Sequence, residues 1–324
     1  MRATVLGAGV AGLCVATELV ARGCEVTIYD PAPRPGPHGC SWWAGGMLAP
    51  FCESETAEEP VVRLGQEAAD WWERQGVAVE HRGTIVLTLG RDRRELDRFA
   101  RRIEGHDRLD ADSLAALEPD LGGCFDRALH VPAEAHLDPR EALNHLRNRL
   151  EEVGVTFVAE HGGASGATFD CRGLAARDAL PDLRGVKGEM AVLRSPDIRL
   201  SRPVRLLHPR FPLYVVPRAG GLFMLGATQI ESDDRRRSVR SVLELLSAAY
   251  ALHPAFGEAE LVEIGVDARP AFHDNLPRLR RRGDTIHVNG LFRHGFLLAP
   301  VLARMAAEAA CDGTRPELMD EDHD

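Results

Sequence analysis

The strongest constraint on this chain lies at its start. Met1-Arg2-Ala3-Thr4-Val5-Leu6 has the pattern of an apolar strand, and it runs directly into Gly7-Ala8-Gly9-Val10-Ala11-Gly12-Leu13. A strand, three glycines at this spacing and a helix make the turn that holds a dinucleotide pyrophosphate at a helix N-terminus. Gly7 permits the tight turn, Gly9 lets the backbone approach the phosphates, and Gly12 lets the helix pack close on its strand. The amides opening that helix, from Val10 and Ala11 onward, supply the positive end. Glu25-Val26-Thr27-Ile28-Tyr29 reads as the second strand. It ends at Asp30, an acid placed to hold ribose hydroxyls and repel a 2′-phosphate. Three glycines alone are a weak signal; the flanking strands and a helix with Leu13, Thr17 and Val20 on one face give them context.

Composition narrows the partners. The 324 residues, 44% hydrophobic and 27% charged, suit two domains with a large core. A net charge of −10 argues against nucleic-acid binding, which needs a basic surface. The runs Arg235-Arg236-Arg237 and Arg280-Arg281-Arg282 read as solvated loops, and the acidic tail 313–324 reads as disordered. No apolar run reaches the roughly 18 residues of a membrane span. The first strand starts at residue 2, so no signal peptide is expected ahead of it and the cytoplasm is the expected compartment. Seven cysteines without a Cys-x-x-Cys pair read as reduced thiols, buried as small apolar side chains. The histidines lack metal-ligand spacing, so no metal is expected.

Further along, a helix is predicted from Glu58 to Gln75, a strand over Gly83–Leu89, and helices over Arg93–Glu104 and Asp112–Glu118. Asp138-Pro139-Arg140-Glu141 is a helix start, with a capping acid, proline at the first position and glutamate three residues after the cap. Tyr214–Pro217 and Leu222–Leu225 flank Arg218-Ala219-Gly220-Gly221 as a hairpin, and Ser238 to Leu252 is a helix. The strand Thr285–Asn289 and a helix from Phe296 to Ala310 close the α/β pattern. The expected architecture is α/β: a Rossmann-type nucleotide domain from 1–80, 136–186 and 265–312, with a β-rich substrate domain from 81–135 and 187–264 inserted into it.

Four segments together resemble the FAD-dependent D-amino-acid oxidase family, most closely its glycine oxidase branch. They are the glycine turn; Cys40-Ser41-Trp42-Trp43-Ala44-Gly45-Gly46-Met47-Leu48-Ala49-Pro50; Leu213–Arg218 with Met224-Leu225-Gly226-Ala227-Thr228; and Asp267-Ala268-Arg269-Pro270 with Asn289-Gly290-Leu291-Phe292-Arg293-His294-Gly295-Phe296-Leu297-Leu298-Ala299-Pro300. The resemblance implies that Ser41, Ala44, Gly45, Gly46 and Met47 run beside a flavin. Gly45 and Gly46 would lack side chains so that backbone can lie against a flat ring. It also implies that His294, Gly295, Phe296 and Leu297 face the ring at a helix start. Arg269 becomes the clamp for a substrate carboxylate, because a planar guanidinium matches a carboxylate in two parallel bonds. Tyr214 assists it, and Arg293 matches a second basic residue near the substrate. Trp43 stands where related enzymes with covalent flavin carry the attaching histidine, which implies non-covalent FAD.

The chain also departs from the family. Asp170-Cys171-Arg172-Gly173-Leu174 keeps only Gly173 of the usual second flavin-contacting pattern, the stretch between Phe157 and Phe169 is shortened, and His208–Pro212 and Gln229 differ near the substrate. The implied reaction is oxidation of a small amino acid, glycine foremost, to its imine, with molecular oxygen as acceptor and no side-chain base. The imine would hydrolyse to glyoxylate and ammonia or enter thiamine thiazole synthesis. Sarcosine, proline or a small D-amino acid as substrate, a non-oxygen acceptor, and a flavoprotein subunit needing a partner remain alternatives. A homo-oligomer is left open.

Overall fold

A computed structural model describes residues 1–32, 34–160, 166–208 and 212–321. Residues 161–165, within the shortened stretch, 209–211, ahead of Tyr214, and 322–324 of the tail lie outside the described residues.

Two large sheets organise the chain. The first has seven strands in the order Met319–Glu321, Arg278–Arg282, Thr285–Asn289, Ala167–Asp170, β1 (Arg2–Leu6), β2 (Glu25–Tyr29) and Thr156–Val158. All its pairings are parallel except Arg278–Arg282 against Thr285–Asn289. The register sets Leu6 beside Tyr29 on one side and Asp170 on the other. The chain therefore leaves three neighbouring strands together, at Gly7, Asp30 and Cys171, and the crevice outside those carboxyl ends is where an open parallel sheet binds its ligand.

Helix α1 (Val10–Ala21) is buried over almost its whole first three turns, because it lies between this sheet and the helix Gly295–Cys311. That long helix carries Pro300 in its interior. Proline has no N–H to give the carbonyl four residues back, which is Phe296. The Trp72 indole donates to that carbonyl instead, at 2.9 Å.

The second sheet carries the long strands Arg184–Arg194 and Glu260–Ala271, which pair with each other in antiparallel fashion along their length. Beyond Arg184–Arg194 follow Leu222–Gly226, Leu213–Arg218, Val204–Leu207, Thr84–Thr88, Arg127–Val131 and Asp107–Asp110. Leu213–Arg218 and Leu222–Gly226 form the predicted hairpin. Helix Pro139–Glu152 starts where its cap predicts, with Asp138 accepting from the amides of Arg140 (2.8 Å) and Glu141 (3.3 Å). Ser238 likewise caps Val239–Leu252.

Several expectations are corrected. The predicted helix 58–75 is two helices, Glu59–Gly65 and Ala68–Arg74, because Gly65, a weak helix former, lies against Leu297 and the ladder tightens there through Glu67 N–H to Leu64 O. The predicted helix 93–104 stops at Ala100. Arg280-Arg281-Arg282 is not a solvated loop but part of the strand Arg278–Arg282. The tail is not disordered throughout, since Met319–Glu321 pairs in parallel with that strand. The arginine run pairs with Thr285–Asn289 as a hairpin, and Arg280 and Arg278 meet Asp320 at 3.4 and 3.1 Å, so acidic tail and basic strand neutralise one another. Arg280 also meets Asp182 at 2.7 Å and covers the Phe272 ring. All seven cysteines are free, but Cys124 and Cys311 are exposed rather than buried.

Candidate active site

A cleft of about 1090 Å³ runs from the ends of β1 and β2 to the face of the second sheet. Gly7, Gly9, Val10, Ala11, Asp30, Ser41, Ala44, Gly45, Gly46, Met47, Gly173, Tyr214, Arg269, Arg293, His294, Gly295, Phe296 and Leu297 all line it, while Gly12 stands behind the wall.

The glycine turn is sterically required. Gly7 has φ +96°, and a Cβ there would lie 2.7 Å from the Cys171 carbonyl oxygen; one on Gly12 would lie 1.9 Å from the carbonyl oxygen of Gly7. Gly9 caps α1 without a side chain, which leaves first-turn amides facing the cleft. Ser41 Oγ accepts from Val10 N–H at 3.2 Å, so its own hydroxyl hydrogen is left to donate. Asp30 receives the amides of Ala8 (2.7 Å) and Ala32 (2.8 Å), one on each carboxylate oxygen. That carboxylate holds the turn while keeping lone pairs for a further donor. This cradle of amides, an anchored acid and the Ser41 hydroxyl fits the pyrophosphate and ribose of a dinucleotide.

Gly45 and Gly46 each face protein atoms where a side chain would not fit. A Cβ on Gly45 would sit 2.7 Å from the Tyr214 ring, and one on Gly46, at φ +75°, would sit 2.2 Å from Leu137 O. The phenol of Tyr214 is thus seated between Gly45 and its ladder partner Gly226, where a Cβ would fall 2.4 Å from the ring. Sequence reasoning missed Arg218, which fixes this loop. It donates to Gly45 O (2.5 Å) and Leu137 O (2.7 Å) and pairs with Asp138 (3.3 Å). Trp43 is buried against Gly265 and donates to Pro37 O at 3.1 Å.

The start of the last helix also differs in detail. The Phe296 ring stacks on Trp72 with centroids 5.5 Å apart, and Leu297 packs over Gly65. These side chains therefore pack into the core, while the helix's opening amides have no intrahelical acceptor. Asp170, at the end of its strand, is fully engaged by protein groups. It binds Arg172 (2.7 Å) and His287 (3.3 Å), and although burial alone would raise its pKa, these bonds hold it down at about 2.

Arg269 reaches into the cleft from the strand Glu260–Ala271, its guanidinium lying over Gly188. It donates to Thr228 O at 3.3 Å and forms no salt bridge among the described residues. Burial pulls its pKa down, opposed by Tyr214 and Cys40. Burial raises the Tyr214 pKa, keeping the phenol protonated, and Arg269 opposes this most strongly. A buried guanidinium beside a neutral phenol, both open to a cleft, is built to receive an anion.

Arg293 lines the same cleft with its guanidinium committed elsewhere. Its Nε and Nη2 meet Glu53 Oε2 at 2.7 and 2.6 Å, and Nη2 donates to Thr56 Oγ1 at 2.8 Å. His294 Nε2 shares the same oxygen at 2.9 Å, and Arg205 approaches Oε1 at 3.4 Å. Burial alone would raise the Glu53 pKa, but Arg293, His294 and Arg205 together hold it well below the carboxylate range. Sequence reasoning did not find Glu53. Its only signal was an acid closely following the small-residue loop, and its partners lie about 150 to 240 positions away.

Among the described residues no group of three or more His, Cys, Asp or Glu side chains is placed to hold a metal ion, and no helix is long and apolar enough to cross a membrane.

The FAD dependent oxidoreductase family model, DAO, matches residues 2–309. A Rhizobium etli protein assigned by name as the thiamine biosynthesis oxidoreductase ThiO is 54% identical over 94% of each chain. Glycine oxidase of Geobacillus kaustophilus is 27% identical over 94% of this chain and 91% of its own. Its crystal structure superposes with a TM-score of 0.81 at 23% identity, covering 98% and 96% of the two chains. An iminodiacetate oxidase from Chelativorans gives 0.82 at 23%, covering 99% of each.

Proposed function

The chain belongs to the family of FAD-dependent oxidoreductases of the DAO type, and from that premise we propose that it oxidises a small amino acid, glycine foremost. The observation that carries this reading is Arg269, a buried guanidinium with no carboxylate partner among the described residues, set beside the protonated phenol of Tyr214 in the cleft. The relatives named for glycine oxidation and for thiamine biosynthesis support the same substrate.

In this reading residues 1–80, 136–186 and 265–312 bind FAD without a covalent bond, and 81–135 with 187–264 shape the substrate side. The α1 amides and Ser41 hold the pyrophosphate, Asp30 the ribose, and the amides from Gly295 onward the flavin's pyrimidine edge. Bound FAD supplies the acceptor for two electrons from the substrate's α-C–H bond. Arg269 binds the carboxylate in two parallel bonds and Tyr214 donates a third. Together they orient the α-carbon, and positioning with charge stabilisation does the catalytic work without a side-chain base. Burial keeps the Cys40 thiol at a pKa of about 11 and thus protonated, consistent with a flavin that is not attached there.

Glycine, oxygen and water would yield glyoxylate, ammonia and hydrogen peroxide, or the imine would pass to thiazole synthesis. We place the enzyme in the cytoplasm, with oligomerisation through copies of itself left to sizing experiments. The test is an anaerobic titration of the yellow protein with glycine, sarcosine, D-alanine and D-proline. Loss of flavin absorbance with glycine at the lowest concentration supports the reading; an unbleached flavin with all four overturns it. Peroxide formation on admitting oxygen distinguishes an oxidase from a dehydrogenase.

A further inference from the structure

Three of the arginines that line the cleft, Arg269, Arg293 and Arg205, differ in their freedom. Arg269 meets only the neutral Thr228 carbonyl among the described residues. Arg293 and Arg205 both turn to Glu53, which sits on the short helix Pro50–Glu53 and is largely buried. Glu53 is held ionised by those arginines and by His294. The groups feel one another: Arg293 is among the charges that depress Arg269, and Tyr214 senses Arg269, Arg205 and Arg293. One protein carboxylate thus already occupies the position that a second substrate carboxylate would seek. An incoming dianion would have to displace Glu53 from Arg293 or lie against it, and like charges in a poorly solvated cleft repel strongly.

Resting on the amino-acid oxidase reading above, we infer that Glu53 is a specificity-determining residue that restricts the site to substrates with a single carboxylate, by engaging the arginines that would otherwise hold a second. Arg269 selects for one anionic group and Glu53 selects against two.

The experiment uses holoenzyme and the variant Glu53→Gln, which keeps the shape and an acceptor oxygen while removing the charge. Binding of acetate and malonate is read from perturbation of the flavin absorbance, and kcat/KM is measured for glycine and D-aspartate. Glu53→Gln is expected to tighten malonate at least about 10-fold relative to acetate. The D-aspartate to glycine ratio of kcat/KM should rise by a similar factor. Glu53→Asp, which keeps the charge, should retain the wild-type ratios. Should Glu53→Gln not accumulate as folded holoenzyme, Glu53→Gln with Arg205→Gln removes one charge of each sign and leaves Arg293 free, with the same rise expected. Ratios that stay at the wild-type value in the folded variant, or that rise equally in Glu53→Asp, overturn the inference. Wild-type protein that neither binds acetate nor bleaches with glycine would instead refute the substrate reading itself.

Discussion

Gly188 lies directly beneath the guanidinium of Arg269. A Cβ at position 188 would stand 2.1 Å from Nη2 and 2.6 Å from Cζ, so the arginine reaches the cleft only because its neighbouring strand has no side chain there. Gly188 pairs with Asp267, two residues before Arg269 on the facing strand. Gly188→Ala should therefore push the guanidinium aside without touching substrate. We expect KM for glycine to rise and kcat/KM to fall about 10-fold, the equivalent of one charge-assisted hydrogen bond at about 1.5 kcal/mol, with FAD content unchanged. Steady-state kinetics and the flavin-to-protein absorbance ratio check both parts.

Arg269→Ala should retain FAD but lose most activity, and Arg269→Lys should recover only part, since an ammonium cannot form the two-pronged bond. Truncating one member of a buried charged pair commonly costs about 2 to 5 kcal/mol, so kcat/KM should fall roughly 30-fold or more. Near-normal kcat/KM for glycine in the alanine variant would place the clamp elsewhere.

Asp30→Ala should weaken FAD binding by about 1 to 3 kcal/mol. Two effects combine, because the carboxylate also anchors the turn through Ala8 and Ala32. Isothermal titration of apoprotein with FAD measures the loss, and unchanged affinity would remove Asp30 from the site.

Asp170 gives a pH signature. Its pKa lies at about 2 in the fold against an ordinary 3.8, so ionised Asp170 stabilises the protein above about pH 4 and that contribution fades as pH falls toward 2. The difference corresponds to about 2 kcal/mol. Denaturant titrations should show Asp170→Asn destabilised by about that amount at pH 7, with the gap to wild type narrowing through this acid window. A gap that persists undiminished at the acid end would contradict it.

Trp72→Phe should destabilise the fold by about 1 to 3 kcal/mol, since the Phe296 carbonyl that Pro300 leaves free would lose its donor in a buried site. Replacing Pro300 by alanine in the same protein should recover part of the loss, because the backbone N–H of residue 300 then becomes available. Equal denaturation midpoints for Trp72→Phe and wild type would show that the carbonyl needs no partner.

The local signals in the sequence were the dependable ones. Gly7 and Gly12, the Asp138 cap and the hairpin around Gly220 each act over a few residues, and the structure places each accordingly. What escaped the sequence depends on distant partners. Glu53 gains its role from Arg205 and Arg293, and Gly188 gains its role from Arg269, neither of which any local pattern encodes. The arginine run is a strand through its hairpin with Thr285–Asn289, which its charge pattern hides. The acidic tail becomes a strand only by pairing with that run, a partner about 40 positions away.

That pairing also bears on how one edge of the first sheet is covered. The strand Met319–Glu321 covers the outer side of Arg278–Arg282, a strand in which four of five residues are arginine. A protease cutting between Thr314 and Leu318 would strip this cover and bare a row of backbone donors and acceptors, the feature through which sheets of different molecules stitch together. The newly exposed strand would, however, present arginine to arginine in any copy approaching it edge to edge. Clipped protein should therefore stay dispersed at low ionic strength and begin to associate as salt screens the repulsion.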